Sequence, residues 1–564
     1  MRAIDWIVLA GTLVAIVAYG TWKTRGIHSV ETYLRGGRDI KWHTIGLSIM
    51  ATQASAITFL SVPGQAYEDG MGFVQFYFGL PIAMVILSAT IVPIYYRLKV
   101  YTAYEYLERR FDLKTRQLTA FLFLLQRGLA AGISIYAPAI ILSTVLGWPL
   151  SLTNLVIGIL VIIYTVSGGT RAVNQTQTHQ MLVILAGMAL AFAFILFQLP
   201  SHVSFKNAVG IAGALGKMNV VDFSPRLDTR YTFWSGITGG LFVALAYFGT
   251  DQSQVQRYLS GSSLTESRLG LLFNGLVKVP LQFLILFLGV IVFVFYQFTQ
   301  PPVFFNAAEV EKVRHTPESV QLQALETSYA DAFAAKQREL DRWISAESSG
   351  DPASIESAKR ELRAAEGKSR SIRDQVKLLI AKVSPRAELK DADYIFISFV
   401  ARYFPPGLVG LLIAVIFCAA MSATAGALNA LGTTTVVDFY QRTLKPAATN
   451  EHYLAAAKLF TVFWGVVAML FAAFASQLDN LIQAVNILGS LFYGPMLGVF
   501  AVGFFLTKIR GTPVFWAVVI SQLVVLAVFK FSSIGFLWYN VIGCAAVVVL
   551  GFAFNAATGP SARA

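Results

Sequence analysis

The stretch LSIMATQASAITFL, Leu47 to Leu60, is apolar enough to enter a membrane, yet Ser48, Thr52, Gln53, Ser55 and Thr58 interrupt it. In lipid, each of those side chains and any backbone they loosen must find a partner inside the protein. Taken alone, the stretch is best explained as helix packing, with Ser and Thr bonding back to their own helix or gluing neighbours together. A second segment shifts that balance. FCAAMSATAGALNALGTTT, Phe417 to Thr435, again sets Ser422, Thr424, Asn429 and three threonines among small residues. A hard monovalent cation wants oxygen ligands, and hydroxyls plus loosened carbonyls supply them without burying a full negative charge. Two such helices can build one sodium site near the bilayer midplane, where discontinuous helices commonly bind ions and cargo.

The elements that would position these residues are membrane spans. Of 564 residues 56% are hydrophobic and 13% charged, with a mean hydropathy of +0.61. Many apolar runs reach the roughly 18 to 20 residues that cross a bilayer. The chain reads as an all-α polytopic membrane protein with about thirteen spans, near 4–22, 42–62, 72–96, 117–147, 149–167, 177–199, 231–260, 268–297, 407–437, 453–475, 479–506, 512–531 and 534–556. The net charge of +13 is topology and not nucleic-acid binding. Its basic residues cluster after alternate spans: Lys23, Arg25, Arg35, Arg38 and Lys41, then Arg97, Lys99, Arg109, Arg110, Lys114 and Arg116. The positive-inside rule makes those loops cytoplasmic, with the N-terminus outside and the C-terminus inside a cell (inner) membrane. Cys418 and Cys544 fall inside apolar runs, so no disulfide framework is expected.

Residues 300–393 have another composition, with 15 Lys/Arg and 16 Asp/Glu. Ile355, Ala358, Leu362, Ala365, Ser369, Ile372, Val376 and Leu379 recur at the alternating three and four spacing of a coiled-coil seam. SSGDPAS (348–354) offers a turn with Pro352 near a helix start. The reading is an extracytoplasmic antiparallel helical hairpin, a solvated spacer or a docking module for a protein partner. It divides the membrane part into 1–299 and 394–564.

The wording FLSVPGQAYEDG (59–70), YRLKVYTAYEYLERRF (96–111), IYAPAIIL (135–142), GTDQSQVQRYL (249–259) and GVIVFVFY (289–296) resembles the sodium:solute symporter family. The resemblance is nearest to its iodide, multivitamin and monocarboxylate branch and covers nearly everything outside 300–393. It implies a LeuT-like core of two inverted five-helix repeats beginning at the second span. It also implies a sodium site of the carbonyls of Ala51, Ala54 and Ala419 with the hydroxyl of Ser422. The next position usually holds a second hydroxyl but is Ala423 here, and Thr424 lies about 100° further around a helix. A family Asp is replaced by Gln177, and the hydroxyl positions of a second sodium are Ala425 and Gly426. One sodium at most is therefore expected, and proton coupling is the alternative. The family cavity would be lined by Gln53, Ile57, Thr58, Gln75, Tyr77, Tyr247, Phe248 and Gln483. Lys278 is a rare intramembrane charge that attracts an anion or pairs with a carbonyl.

No phosphate-binding glycine loop with Lys-Ser/Thr, HExxH or GxSxG occurs in the sequence, so no enzyme is expected. The expected activity is sodium-coupled symport of a small solute by alternating access, with a small organic or inorganic anion ahead of a sugar or polyol. A transporter-derived sensor signalling through the hairpin and a channel-like leak are the rivals.

Overall fold

The computed structural model describes residues 2–23, 40–201, 203–385, 387, 389–474 and 480–558, which are helical nearly throughout. Arg25, Arg35 and Arg38 of the first basic loop lie outside the described residues. After α1 (Ala3–Lys23), the opening polar stretch forms two helices, α2 (Trp42–Gln53) and α3 (Ala56–Asp69). Ala54 (φ −81°, ψ 70°) and Ser55 (φ −74°, ψ 171°) leave helical geometry between them. The helix therefore opens within the run of small and hydroxyl residues.

A 3₁₀ stretch, Gly70–Tyr77, leads into α4 (Leu80–Ala89), α5 (Ile91–Leu98) and α6 (Glu105–Arg110). Next comes α7 (Leu113–Leu146), whose first turn is capped by the Asp112 carboxylate accepting from the Thr115 N–H. The expected spans 149–167 and 177–199 are joined in one helix, α8 (Leu150–Phe197). At 1.5 Å per residue its 48 residues reach about 72 Å, more than twice a hydrocarbon core. The apolar stretches Leu150–Ile163 and Gln177–Phe197 occupy its two ends, and the polar middle that suggested a loop is helical.

Following α9 (Phe205–Ala214) and a π-turn at Ser235–Gly239, a second broken pair appears: α10 (Gly240–Thr250) and α11 (Gln252–Leu259). They part at Asp251 (φ −80°, ψ 115°), whose carboxylate caps α11 at Ser253. The chain continues through α12 (Leu264–Phe298), α13 (Ala307–Arg314), α14 (Ser319–Ser349), α15 (Pro352–Val383) and α16 (Ala392–Tyr403). Then α17 (Leu408–Thr434) runs into a π-helical turn ending at Leu444, and α18 (Asn450–Ala472), α19 (Leu481–Phe505), α20 (Gly511–Phe531) and α21 (Leu537–Ala557) complete it. The second small-polar segment stays a regular helix within α17, so only the first one opens.

Among the described residues nine helical stretches are long and apolar enough to cross a membrane, and three shorter apolar helices accompany them. Large apolar side chains such as Leu276 and Phe197 stand exposed on these helices, as lipid contact requires. Backbones approach closely where glycine permits. A Cβ on Gly289 of α12 would run into the Pro63 carbonyl of α3, and one on Gly64 would run into that of Ala392. Broken helix α3 is thus wedged between α12 and α16.

The ion pairs Lys336–Glu366 (3.0 Å) and Lys382–Glu318 (3.4 Å) set α14 and α15 antiparallel. Gly350, at φ +72°, and the cap from Asp351 to the Ser354 N–H make the turn between them. Leu322, Tyr329, Phe333, Leu340 and Trp343 of α14 are buried, as are Ala358, Leu362, Val376 and Leu379 of α15. Arg373 bonds to Asp391 at 2.9 Å and lies 3.7 Å from Glu68 at the end of α3. Arg363 donates to the Ala214 carbonyl (2.6 Å) and Gln337 to that of Phe298 (3.2 Å). The pair is fastened to the ends of four other elements.

Candidate functional site

The two broken helices face one cavity of about 140 Å³. Its wall takes Gln53, Ile57 and Thr58 from the first break, Tyr247, Phe248 and Ser253 from the second, Ala423 and Ala427 from α17, and Asn486 and Tyr493 from α19. Tyr77 and Lys278 complete one side, with the Lys278 ammonium 5.5 Å from the centre of the Tyr77 ring. Among the described residues no carboxylate forms an ion pair with Lys278. From α7 the wall also takes Gln126, Arg127 and Ser134.

Arg127 is held from behind. Its guanidinium pairs with Asp251 and donates to the Tyr493 hydroxyl (3.0 Å), while Tyr493 donates to the same carboxylate oxygen (3.0 Å), closing a three-membered polar cluster. The arginine also stacks 5.3 Å over Tyr247, whose hydroxyl accepts from Gln254 at 2.6 Å. Four polar atoms on the wall have no hydrogen-bond partner within the protein: Gln53 Oε1, Gln126 Oε1, Arg127 Nε and Asn486 Nδ2. A buried polar group left unpaired costs roughly 1–3 kcal/mol, and these four atoms belong to residues that line the cavity.

Of the residues read from the sequence as cargo contacts, Gln53, Thr58, Tyr77, Tyr247, Phe248 and Lys278 are brought together here. Gln75 and Gln483 are not on this wall. Gln75 is spent on structure: it donates to the Gly72 (3.1 Å) and Tyr231 (3.0 Å) carbonyls and accepts from the Asp222 N–H (2.9 Å). Gln483 lies one turn from Asn486, donates to Gln65 (2.8 Å) and accepts from Arg230. It thereby links α19 to α3 and to the 215–231 loop. Arg127 and Gln126 were missed in the sequence, although an arginine within the apolar run FLFLLQRGLAAGI is itself a functional signal.

The candidate cation ligands lie beside this cavity. Ser422 Oγ donates to the Ala51 carbonyl at 3.1 Å, so α17 meets the opened end of α2. Ala51, Ala54, Ala419 and Ser422 are fully buried, and all the oxygens they offer are uncharged, a donor set that suits a monovalent cation. Ala423 faces the cavity instead. Thr424 Oγ1 is buried without a partner, and the regular helix keeps it off the Ser422 line. Gln177 bridges the two helices: its amide nitrogen donates to the Ser422 carbonyl (3.0 Å) and the Thr52 hydroxyl (3.1 Å), and its oxygen accepts from Ser48 (2.5 Å).

Comparison with known proteins bears on the family and the fold. The sodium/sialic acid symporter SiaT of Proteus mirabilis is 26% identical over 97% of this chain and 94% of its own. Sodium-coupled monocarboxylate transporter 2 of Mus musculus is 26% identical over 89% of this chain and 68% of its own. The human sodium/iodide cotransporter is 33% identical over 53% of this chain and 46% of its own. A solved structure of a sodium-coupled sialic acid symporter, outward-open with substrate bound, superposes with a TM-score of 0.76 at 24% identity over 99% of both chains. That likeness gives the LeuT-like fold. The pattern described as the sodium:solute symporter family matches residues 33–325 and 380–521, leaving out most of α14 and α15. These relatives are transporters and not enzymes. The chain belongs to the sodium:solute symporter family.

Proposed function

We propose that this protein uses sodium entry to import a small anion, most simply a short monocarboxylate, by alternating access. The observation that carries the reading is the charge on the cavity wall, which presents Arg127 and Lys278 and no acidic side chain. Asp251 balances Arg127 from behind, and the remaining positive charge at Lys278 favours an anionic cargo. Size narrows the class. A cavity of about 140 Å³ is close to the roughly 150 Å³ that admits benzene, so the cargo has on the order of six non-hydrogen atoms. The named cargo of the monocarboxylate relatives is of that chemical class. Ala51, Ala54, Ala419 and Ser422 would hold the sodium. Ion and cargo are coupled because both favour conformations that bring α2, α3 and α17 together. The basic loops face the cytoplasm in this reading, and the α14–α15 hairpin faces outward.

The test is uptake into liposomes containing the purified protein, under an inward sodium or choline gradient, of labelled propionate, lactate, nicotinate, iodide and glucose. At least one anion is expected to accumulate only with sodium, and Lys278→Met to raise its half-saturating concentration about tenfold or more. Accumulation of glucose and of none of the anions would replace this reading with the sugar one. A sensor reading draws on the fastening of α15 to α3 through Arg373 and Glu68, which ties the hairpin to a cavity helix. It is distinguished by cargo that binds without accumulating.

A further inference from the structure

Lys278 is one of three polar residues on a single face of α12. Asn274, Lys278 and Gln282 follow at intervals of four, so successive side chains lie one turn apart, with Cβ atoms roughly 5–6 Å from each other. All three are buried, Asn274 and Gln282 completely. The place of Asn274 depends on Gly275. A Cβ there would lie 2.7 Å from Met84 Cγ, so glycine is what admits the Met84 side chain of α4 at this level. The Met84 sulfur then accepts from the Asn274 amide nitrogen at 3.8 Å. That contact orients the carboxamide, and its oxygen is left buried with no partner among the described residues.

Lys278 has the complementary lack. Its ammonium stands 5.5 Å from the centre of the Tyr77 ring, and the cavity wall offers it no acidic side chain. A buried ammonium without an oxygen to bond is costly, so it gains by taking an acceptor whenever no anion is at hand. Long side chains on a helix lean toward its N-terminus, which carries the ammonium toward the turn of Asn274 and away from that of Gln282. An acceptor one turn N-terminal to a lysine is also the favoured order for such pairs.

We infer that Asn274 is a positioning residue for cargo binding, its free amide oxygen competing with the cargo anion for the Lys278 ammonium. In the conformation described the ammonium is turned to Tyr77 and lies between these two partners, so rotation about its own side-chain bonds carries it from one to the other. This inference rests on the anion reading proposed above. It adds that the anion must displace an amide to be bound, and that the amide reclaims the lysine as the anion leaves. Asn274 therefore weakens binding and speeds release.

The experiment measures sodium-driven uptake into liposomes of labelled propionate, lactate, nicotinate and iodide by the wild type, Asn274→Leu, Lys278→Met and the double variant. If the wild type accumulates none of them, or Lys278→Met matches the wild type, the anion reading fails and this inference with it. Every other outcome tests Asn274 alone. For an anion that the wild type accumulates, Asn274→Leu should lower the half-saturating concentration about threefold to tenfold and lower the maximal rate as well. Simple loss of structure does not tighten binding. In the Lys278→Met background the same substitution should change neither, because its effect runs through the ammonium. A folded Asn274→Leu with an unchanged or raised half-saturating concentration overturns the inference. So does an equal fall in the Lys278→Met background, or in Gln282→Leu. Should Asn274→Leu not fold, Asn274→Asp decides, because a carboxylate at 274 would claim Lys278 outright. Its half-saturating concentration should rise about tenfold or more, to the level of Lys278→Met, and an unchanged value overturns the inference.

Discussion

At the scale of single residues, Asp393 shows how a buried charge can be spent on architecture. It sits on α16, outside the spans, and accepts from Asn480 Nδ2 (3.0 Å) and the Leu481 N–H (3.1 Å) at the start of α19. Burial pushes its carboxyl up to about 6 from the ordinary 3.8. A raised carboxyl contributes stability that is fully present below the unfolded value and is lost as pH rises through the folded one. The melting midpoint of the wild type relative to Asp393→Asn should therefore fall by on the order of a few degrees from about pH 4 to about pH 7. A difference that stays constant across that window would show an unperturbed carboxyl. Much of the site was legible at this scale, because a polar residue in an apolar run is conspicuous wherever it falls. Gln53, Thr58 and Lys278 stand out in that way, Tyr77, Tyr247 and Phe248 are implied by the family resemblance, and all six line the cavity. Gln75 and Gln483 carried the same signal, yet their hydrogen bonds go to a loop and to neighbouring helices. Sequence shows that an amide is buried, and only the fold shows which of its neighbours satisfies it.

Between elements, the governing constraint is how closely backbones may approach. Gly64 of α3 abuts the Ala392 carbonyl and Gly289 of α12 abuts that of Pro63, so added methyl groups would meet main-chain atoms that cannot rotate away. Gly64→Ala and Gly289→Ala should each destabilise the purified protein by about 1–3 kcal/mol. Gly213→Ala on α9, whose Cβ would meet nothing within 4 Å, is the control and should be neutral or mildly stabilising. Comparing the thermal midpoints of the three variants checks this, and equal behaviour would refute it. The breaks at Ala54 and Asp251 follow local chemistry. Continuity does not: α8 carries helix through a polar stretch that reads as a loop, and α17 stays whole where its small and hydroxyl residues would have allowed an opening. Such residues permit a break without demanding one, and the neighbours decide.

For the whole molecule, the α14–α15 pair is an attachment with several fixings and not a loose appendage. Arg373, Arg363 and Gln337 hold it to Asp391, Ala214 and Phe298, at separate points of the core. Cleavage by protease at the exposed 348–354 turn should therefore give two fragments that elute together in detergent, and their separation would contradict it. The deepest consequence belongs to α17. Ser422 touches the Ala51 carbonyl, and Ala423, the very next residue, forms the wall of the cargo cavity. In the proposed reading, ion ligand and cargo wall are consecutive beads on one stiff rod, so neither can be displaced without carrying the other. A machine geared this way has no clutch. Slippage, in which one passenger crosses alone, requires bending the rod itself, and the fidelity of exchange is then a question of how stiff a single helical turn can be.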